Sequence, residues 1–406
     1  MVLLAGFDAI TLAPSLLSFA HGADRRLYFG VCAGRLVRKR GVRRVLATLE
    51  TVWHAHGWDA MSKRWSSVAL GIVISLVALW YLFRRDLSGV RDELRHAEYW
   101  TVLPCVALSY VALWLRSLRW RVLLGYRIAP SHSFHILNVS YFLNGVLPLR
   151  VGELVRAALT ARLDPPVSVV TALSTIVVER LLDTLAVFAL VGLVLVMLPT
   201  GLEIGYLGMA LGIGAAIGVI VLAVVAVRPA WAYALFDGAA RWIPALRRPA
   251  LRRWLDGALA GVRPLASARA IALAVWWTAA GWAVSVMTGY VLLYAIFDAP
   301  TWTASMAMVA LASFVIAVPA VPGNLGPFEA AVVFGLASAG LVAEPTDAPA
   351  VAFALLLHVV NLFTYISAGL VGLWAEGVSL GEVTRVAGAL RARQQTAEGE
   401  ALTEKA

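Results

Sequence analysis

The sequence predicts an all-α polytopic membrane protein of about six to eight transmembrane helices, with two re-entrant broken hairpins whose opposed entry suggests an inverted repeat. Three observations carry that expectation. Of 406 residues, 61% are hydrophobic and only 14% are charged, and the mean hydropathy is +0.80, far from the balance of a soluble domain. The apolar residues gather into runs close to the twenty or so needed to cross a bilayer. The net charge of +10 comes almost entirely from arginine, since Lys39, Lys63 and Lys405 are the only lysines, and it clusters between those runs. Anionic headgroups account for such charge better than nucleic acid does.

Residues 1–60 read as an extension of uncertain standing. Val2 to Ala20 is apolar but contains Asp8 and Pro14, lacks a basic start, and leads into an Arg-rich stretch, a poor match to a secretory signal. Met61-Ser-Lys-Arg-Trp reads as a second start, so a membrane domain is expected over 61–376 and a polar cytoplasmic tail over 377–406. Candidate spans are 67–83, 100–115, 167–198, 205–227, 270–297, 302–318 and 350–375, while 134–165 and 319–342 are apolar but broken by Pro and Gly. The segment 116–133 carries four Arg and no acid, and 228–269 carries eight Arg against Asp237 and Asp256, so both are expected on the cytoplasmic side. Parity then forces 134–165 to enter and leave from that side and 302–342 to dip in from the other. The expected setting is a bacterial inner membrane with a cytoplasmic C-terminus.

The candidate site lies in the broken segments. Asn144, Arg150, Glu153 and Arg156, with Pro148 and Gly152, fall in the first hairpin. Ionisable side chains at membrane depth cost several kcal/mol and persist when paired or lining a polar cavity. Half-helix N-termini at such breaks present free N–H groups to anions. In the second hairpin, Pro322, Gly323, Asn324 and Gly326 mark the break, Gly326 fits a helix cap, Pro327 its first position and Glu329 its first turn. Kinked packing explains the same residues without a ligand. A third cluster, Glu179, Arg180 and Asp183, sits inside a long span; Glu179 and Asp183 share a helix face and need cations, for which Arg180, Arg150 and Arg156 are the candidates. A purely structural ion-pair network is the competing reading.

The pattern Asn-x3-Pro-x-Arg-x-Gly-Glu-x2-Arg at 144–156, then Glu-Arg-x2-Asp at 179–183, then Pro-Gly-Asn-Leu-Gly-x-Phe-Glu at 322–329 resembles the lysylphosphatidylglycerol synthase transmembrane-region family. The basic turn Leu115 to Leu124 also resembles it, and the likeness spans roughly residues 65 to 375. That resemblance implies a flippase-like membrane domain that moves lipid between leaflets. The soluble aminoacyl-transferase domain of the bifunctional synthases is not matched, so lysyl-lipid synthesis is not expected. Where the family suggests a basic residue in the last span, this chain has His358, followed by Asn361 and Tyr365; a satisfied buried imidazole and a proton relay both fit.

Other chemistry is thin. Cys32 and Cys105 form no paired spacing, His132 and His135 are a weak metal pair, and P-loop and hydrolase signatures are missing, so neither cofactor nor metal is expected. Arg116, Arg119 and Arg121 beside Trp120 fit a phosphate contact or plain topology signals. The expected function is a lipid translocase for a phospholipid, aminoacyl-lipid or isoprenoid glycolipid, its anionic or zwitterionic headgroup meeting the arginines. The alternatives are a membrane-embedded lipid-linked transferase with Glu153 or Glu179 as base, and a non-transporting partner of a lipid-biosynthetic enzyme. The sequence leaves the oligomeric state open.

Overall fold

Apolar character at helical spacing dictates the architecture: in hydrocarbon every backbone N–H and C=O must be paired within its own segment. The computed structural model describes residues 73, 75–82, 86–146, 151–197, 202–242, 249–317, 324–379 and 381, and all regular structure among them is helical. After a helical stretch at 75–82 come α1 (Leu87–His96), α2 (Val102–Leu123), α3 (Pro130–Val146), α4 (Val151–Thr160), α5 (Val169–Met197) and α6 (Leu202–Val227). The chain continues with α7 (Pro229–Trp242), α8 (Pro249–Val262), α9 (Ala268–Leu293), α10 (Trp302–Ala317), α11 (Pro327–Ser338) and α12 (Ala348–Ala375).

Four helices are long and apolar enough to cross a membrane by themselves: Tyr99–Leu123, which includes α2, then α5, α9 and α12. The bent pair Ala216–Val227 and Pro229–Trp242 raises the number to five, so the described residues do not confirm six to eight. The candidate span 67–83 lies largely outside them, as do the extension 1–60 and nearly all of the tail 377–406.

The basic segment 116–133 is not the loop that its charge suggests. Helix α2 runs on to Leu123, and Arg119 is only 2% exposed inside the bundle. Two of the four arginines used to fix that loop's side, Arg116 and Arg119, are therefore helix residues turned inward, because they meet hydroxyl and carboxylate partners there. The second basic segment, 228–269, is mostly helical too. Its α7 and α8 are joined by Arg252 to Asp237, by Tyr233 to Asp256 at 2.8 Å, and by the Arg252 guanidinium 4.5 Å over the Tyr233 ring.

Both broken hairpins form as pairs of short packed helices, α3 with α4 and α10 with α11. At about 1.5 Å per residue none of the four reaches the roughly 30 Å of a hydrocarbon core. Gly335 places α11 against the backbone of Met308 on α10, and Gly369 and Gly372 let α12 lie against Phe142 and His135 of α3, the small-residue contact that membrane bundles favour. Helix α12 ends at Gly377, φ 58°, with Val378 N donating to Leu373 O at 2.9 Å.

Three apolar clusters support the middle of the bundle. One joins α9, α10, α11 and α12 around Leu292, Met308, Leu336 and Phe353. A second joins α2, α3 and α4 around Trp120, Ile136 and Leu159. The third sets Leu123 of α2 against Val178 and Leu182 of α5 and Ala274 of α9.

Candidate functional site

Helices α2 and α5 bring the charges together. Arg119 grips Asp183 with both terminal nitrogens, Nη1 to Oδ1 at 2.5 Å and Nη2 to Oδ2 at 3.1 Å, the paired geometry in which a guanidinium matches a carboxylate. Thr278 Oγ1 accepts from the same Nη1 at 3.3 Å, and Trp282 Nε1 donates to Asp183 Oδ1 at 3.2 Å. The partner of Asp183 is thus Arg119, not the Arg180 that sequence spacing offers. Arg180 turns instead to Glu153 of α4, Nη2 to Oε1 at 2.7 Å.

Glu179 receives Arg156 of α4, Nη1 to Oε2 at 2.7 Å, and its other oxygen lies 3.7 Å from Arg119. The Arg156 guanidinium also stacks 3.7 Å over the Trp120 ring, whose Nε1 donates to Thr175 Oγ1 at 3.1 Å. Two carboxylates one helical turn apart on α5 are tolerable because a separate arginine meets each from a neighbouring helix.

The first hairpin explains Asn144 and Gly152. Asn144 Oδ1 accepts from Gly152 N at 2.9 Å, so a side chain at the end of α3 satisfies a free N–H in the first turn of α4. A Cβ at position 152 would run into Ser140 O and the Asn144 side chain, which leaves glycine as the residue that fits. Leu147, Pro148, Leu149 and Arg150 lie outside the described residues.

In the second hairpin Pro322 and Gly323 also lie outside them, and Asn324 sits at φ 53°. Gly326 caps α11 at φ 91°, Pro327 takes the first position, and Glu329 Oε2 accepts from Gly326 N at 2.7 Å, as the sequence predicts for a half-helix start. Glu329 is fully buried, and its Oε1 stands 2.7 Å from His358 Nδ1, ion-pair distance although off the line of a hydrogen bond. Phe328 packs edge-on to the His358 ring at 5.2 Å. His132 and His135 both turn to Glu376, at 2.8 Å and 3.4 Å.

Between these groups lies a cavity of about 250 Å³. Its wall takes residues from all four long spans: Arg116 from α2, Arg180 and Asp183 from α5, Trp282 and Ser285 from α9, Asn361 and Tyr365 from α12. Tyr141 of α3 and Phe328 of α11, one from each broken hairpin, complete it, and Tyr141 stacks on Tyr365 at 5.6 Å. Arg116 stands out: Nη2 donates to the neutral Ser285 hydroxyl at 2.9 Å, and no carboxylate among the described residues forms an ion pair with it. Asp183, on the same cavity wall, acts on Arg116 at longer range. A guanidinium with donors to spare in a cavity of mixed apolar and polar lining suits an anionic ligand group.

The candidates from the sequence therefore separate. Arg180 and Asp183 line the cavity, Arg119, Arg156, Glu153 and Glu179 brace its charged side, and Asn144, Gly326 and Glu329 cap half-helices. Sequence reasoning underrated Arg116 and missed Trp282 and Ser285. A signal was available: Ser109, Ala112 and Arg116 at i, i+3, i+7, and likewise Ser285 and Gly289 at i, i+4, are small or polar positions in helices otherwise made for lipid.

Comparison with known proteins agrees with the motifs. The family model described as the lysylphosphatidylglycerol synthase TM region matches residues 68–369. A UPF0104 membrane protein of Methanothermobacter thermautotrophicus is 33% identical over 138 residues, which cover 31% of this chain and 40% of that relative. No solved structure matches.

Proposed function

The chain belongs to the lysylphosphatidylglycerol synthase TM region family, and from that premise we propose that it is a lipid translocase of a bacterial inner membrane, C-terminus cytoplasmic, whose headgroup site is the central cavity. The observation that carries the reading is Arg116, a guanidinium two turns inside its span, bonded among the described residues only to a hydroxyl and lining the central cavity. A phosphate of an anionic or zwitterionic headgroup displaces the Ser285 hydroxyl and takes up the Arg116 donors. Arg180, half-exposed and held by Glu153, supplies a second cation, while Asp183 on the cavity wall meets a cationic moiety. At about 250 Å³ the cavity is just below the usual range for a whole small ligand, a size for a headgroup and not for acyl chains.

The chains stay in the bilayer and need a slot. Phe314 of α10 lines the cavity, is 37% exposed, and its ring meets Phe188 of α5 at 5.4 Å. The α5–α10 seam, where these two rings meet beside the cavity, is the proposed slot, and parting them opens the path. A transferase has less support, since Glu179 and Glu153 are both committed to arginines.

The test is a leaflet-resolved assay with fluorescent phosphatidylglycerol in liposomes. Phe188→Cys with Phe314→Cys, bridged by a short thiol crosslinker, stops flipping, and cleaving the bridge restores it. Flipping at the unmodified rate through a closed bridge removes the seam from the mechanism. Failure of the wild-type protein to flip phosphatidylglycerol, zwitterionic and isoprenoid lipids alike refutes the translocase.

A further inference from the structure

We infer that α7 is an in-plane helix whose Trp231, Leu235 and Trp242 face is seated in the interfacial layer of the bilayer. Helix α6 has 26 residues, about 39 Å at 1.5 Å per residue, so by length it reaches the thickness of the hydrocarbon core without α7. Its exposed residues Ile213, Ile217, Ile220, Val224 and Val227 fall on one helical face, the stripe that meets acyl chains. The stripe stops at Arg228, and there the chain turns by 96° into α7. A helix at right angles to a span, beginning where the lipid stripe ends, runs along the membrane surface.

The sides of α7 agree with that placement. Residues 231, 235 and 242 project within about 40° of one another on a helical wheel, and all three are exposed, Trp242 at 88%. The opposite side carries Tyr233, Phe236 and Asp237, tied to α8 by the Tyr233–Asp256 hydrogen bond and by Arg252, which pairs with Asp237 and lies over both rings. The free side is therefore apolar by sequence and held outward by the fixed side. Tryptophan at such a position puts its ring at the acyl boundary and its N–H among headgroups. Eight Arg against Asp237 and Asp256 over 228–269 complement an anionic leaflet.

The experiment uses the full chain with Cys32 and Cys105 replaced, carrying one labelled cysteine at 231, 235 or 242, and at 220 as a deep reference. Ala234→Cys, also on the exposed side, substitutes for any tryptophan variant that does not fold. In nanodiscs of phosphatidylcholine and phosphatidylglycerol, a quencher near the headgroup outperforms one near the chain end at least about twofold for all the α7 positions, and the order reverses at 220. Depth that increases steadily from 231 to 242 overturns the inference, because α7 would then dip into the bilayer. Quenching by aqueous iodide without lipid quenching, or protection from both, overturns it as well, pointing to water or a protein partner on that face.

Discussion

Arg116→Gln separates ligand binding from folding, which few residues in this charged bundle can do. Glutamine keeps a donor toward Ser285, so the cost to stability is about 1 kcal/mol or less, the worth of a neutral hydrogen bond. The headgroup loses a charge-assisted hydrogen bond, about 1.5–3 kcal/mol, equal to roughly a 10- to 150-fold drop in flipping. Arg119→Gln behaves differently. Arg119 is 2% exposed, holds Asp183 through two bonds and lies 3.7 Å from buried Glu179, so removing it leaves a partly buried carboxylate unpaired and a buried one with less cation beside it, and costs about 3–5 kcal/mol of stability. The assay is dithionite protection of fluorescent phosphatidylglycerol in liposomes, normalised to folded protein by thermal melting. If Arg116→Gln melts like the wild type and flips like it, the guanidinium carries no headgroup and the cavity is not the site.

Glu179→Gln weakens the hold on Arg156 and should lower stability by about 3–5 kcal/mol, read as an earlier thermal transition in detergent. Gly152→Ala forces a methyl into Ser140 O and the Asn144 cap and should cost about 1–3 kcal/mol, whereas Asn144→Ala loses the cap alone, about 1 kcal/mol; both are readable by melting. Asn138 is buried on α3 with neither side-chain polar atom hydrogen-bonded to a described residue, so Asn138→Leu should stabilise by about 1–3 kcal/mol, and an earlier melt would contradict this. Outside the membrane, the Gly89 amide and Ser88 hydroxyl hold the Asp86 carboxyl below its usual range. Its cap therefore supports α1 above about pH 4 and is lost as pH falls through the lowered value. Hydrogen exchange of α1 should quicken in acid, and Asp86→Asn should remove that dependence.

The sequence was most readable where chemistry is local. Gly326, Pro327 and Glu329 announce a helix start because cap, proline and carboxylate act within a few residues of chain, and the structure has that start. Arg119 was harder, since an arginine just past a candidate span looks the same whether it marks the cytoplasmic side or enters the bundle. What differs is Asp183, 64 residues away, and no periodicity encodes that pairing.

By itself, then, the sequence determined that this chain lives in lipid, that two helix pairs are broken, and that carboxylates and arginines must meet at depth. Burial and backbone satisfaction depend only on residue type and spacing, so pattern suffices for them. Tertiary structure alone decided which arginine meets which carboxylate, that Arg116 donates to the Ser285 hydroxyl, and that both hairpins send a ring, Tyr141 and Phe328, to one cavity. Ion pairs form at a few ångströms between distant segments, and only the packing of α2, α5 and α9 brings those segments within that range.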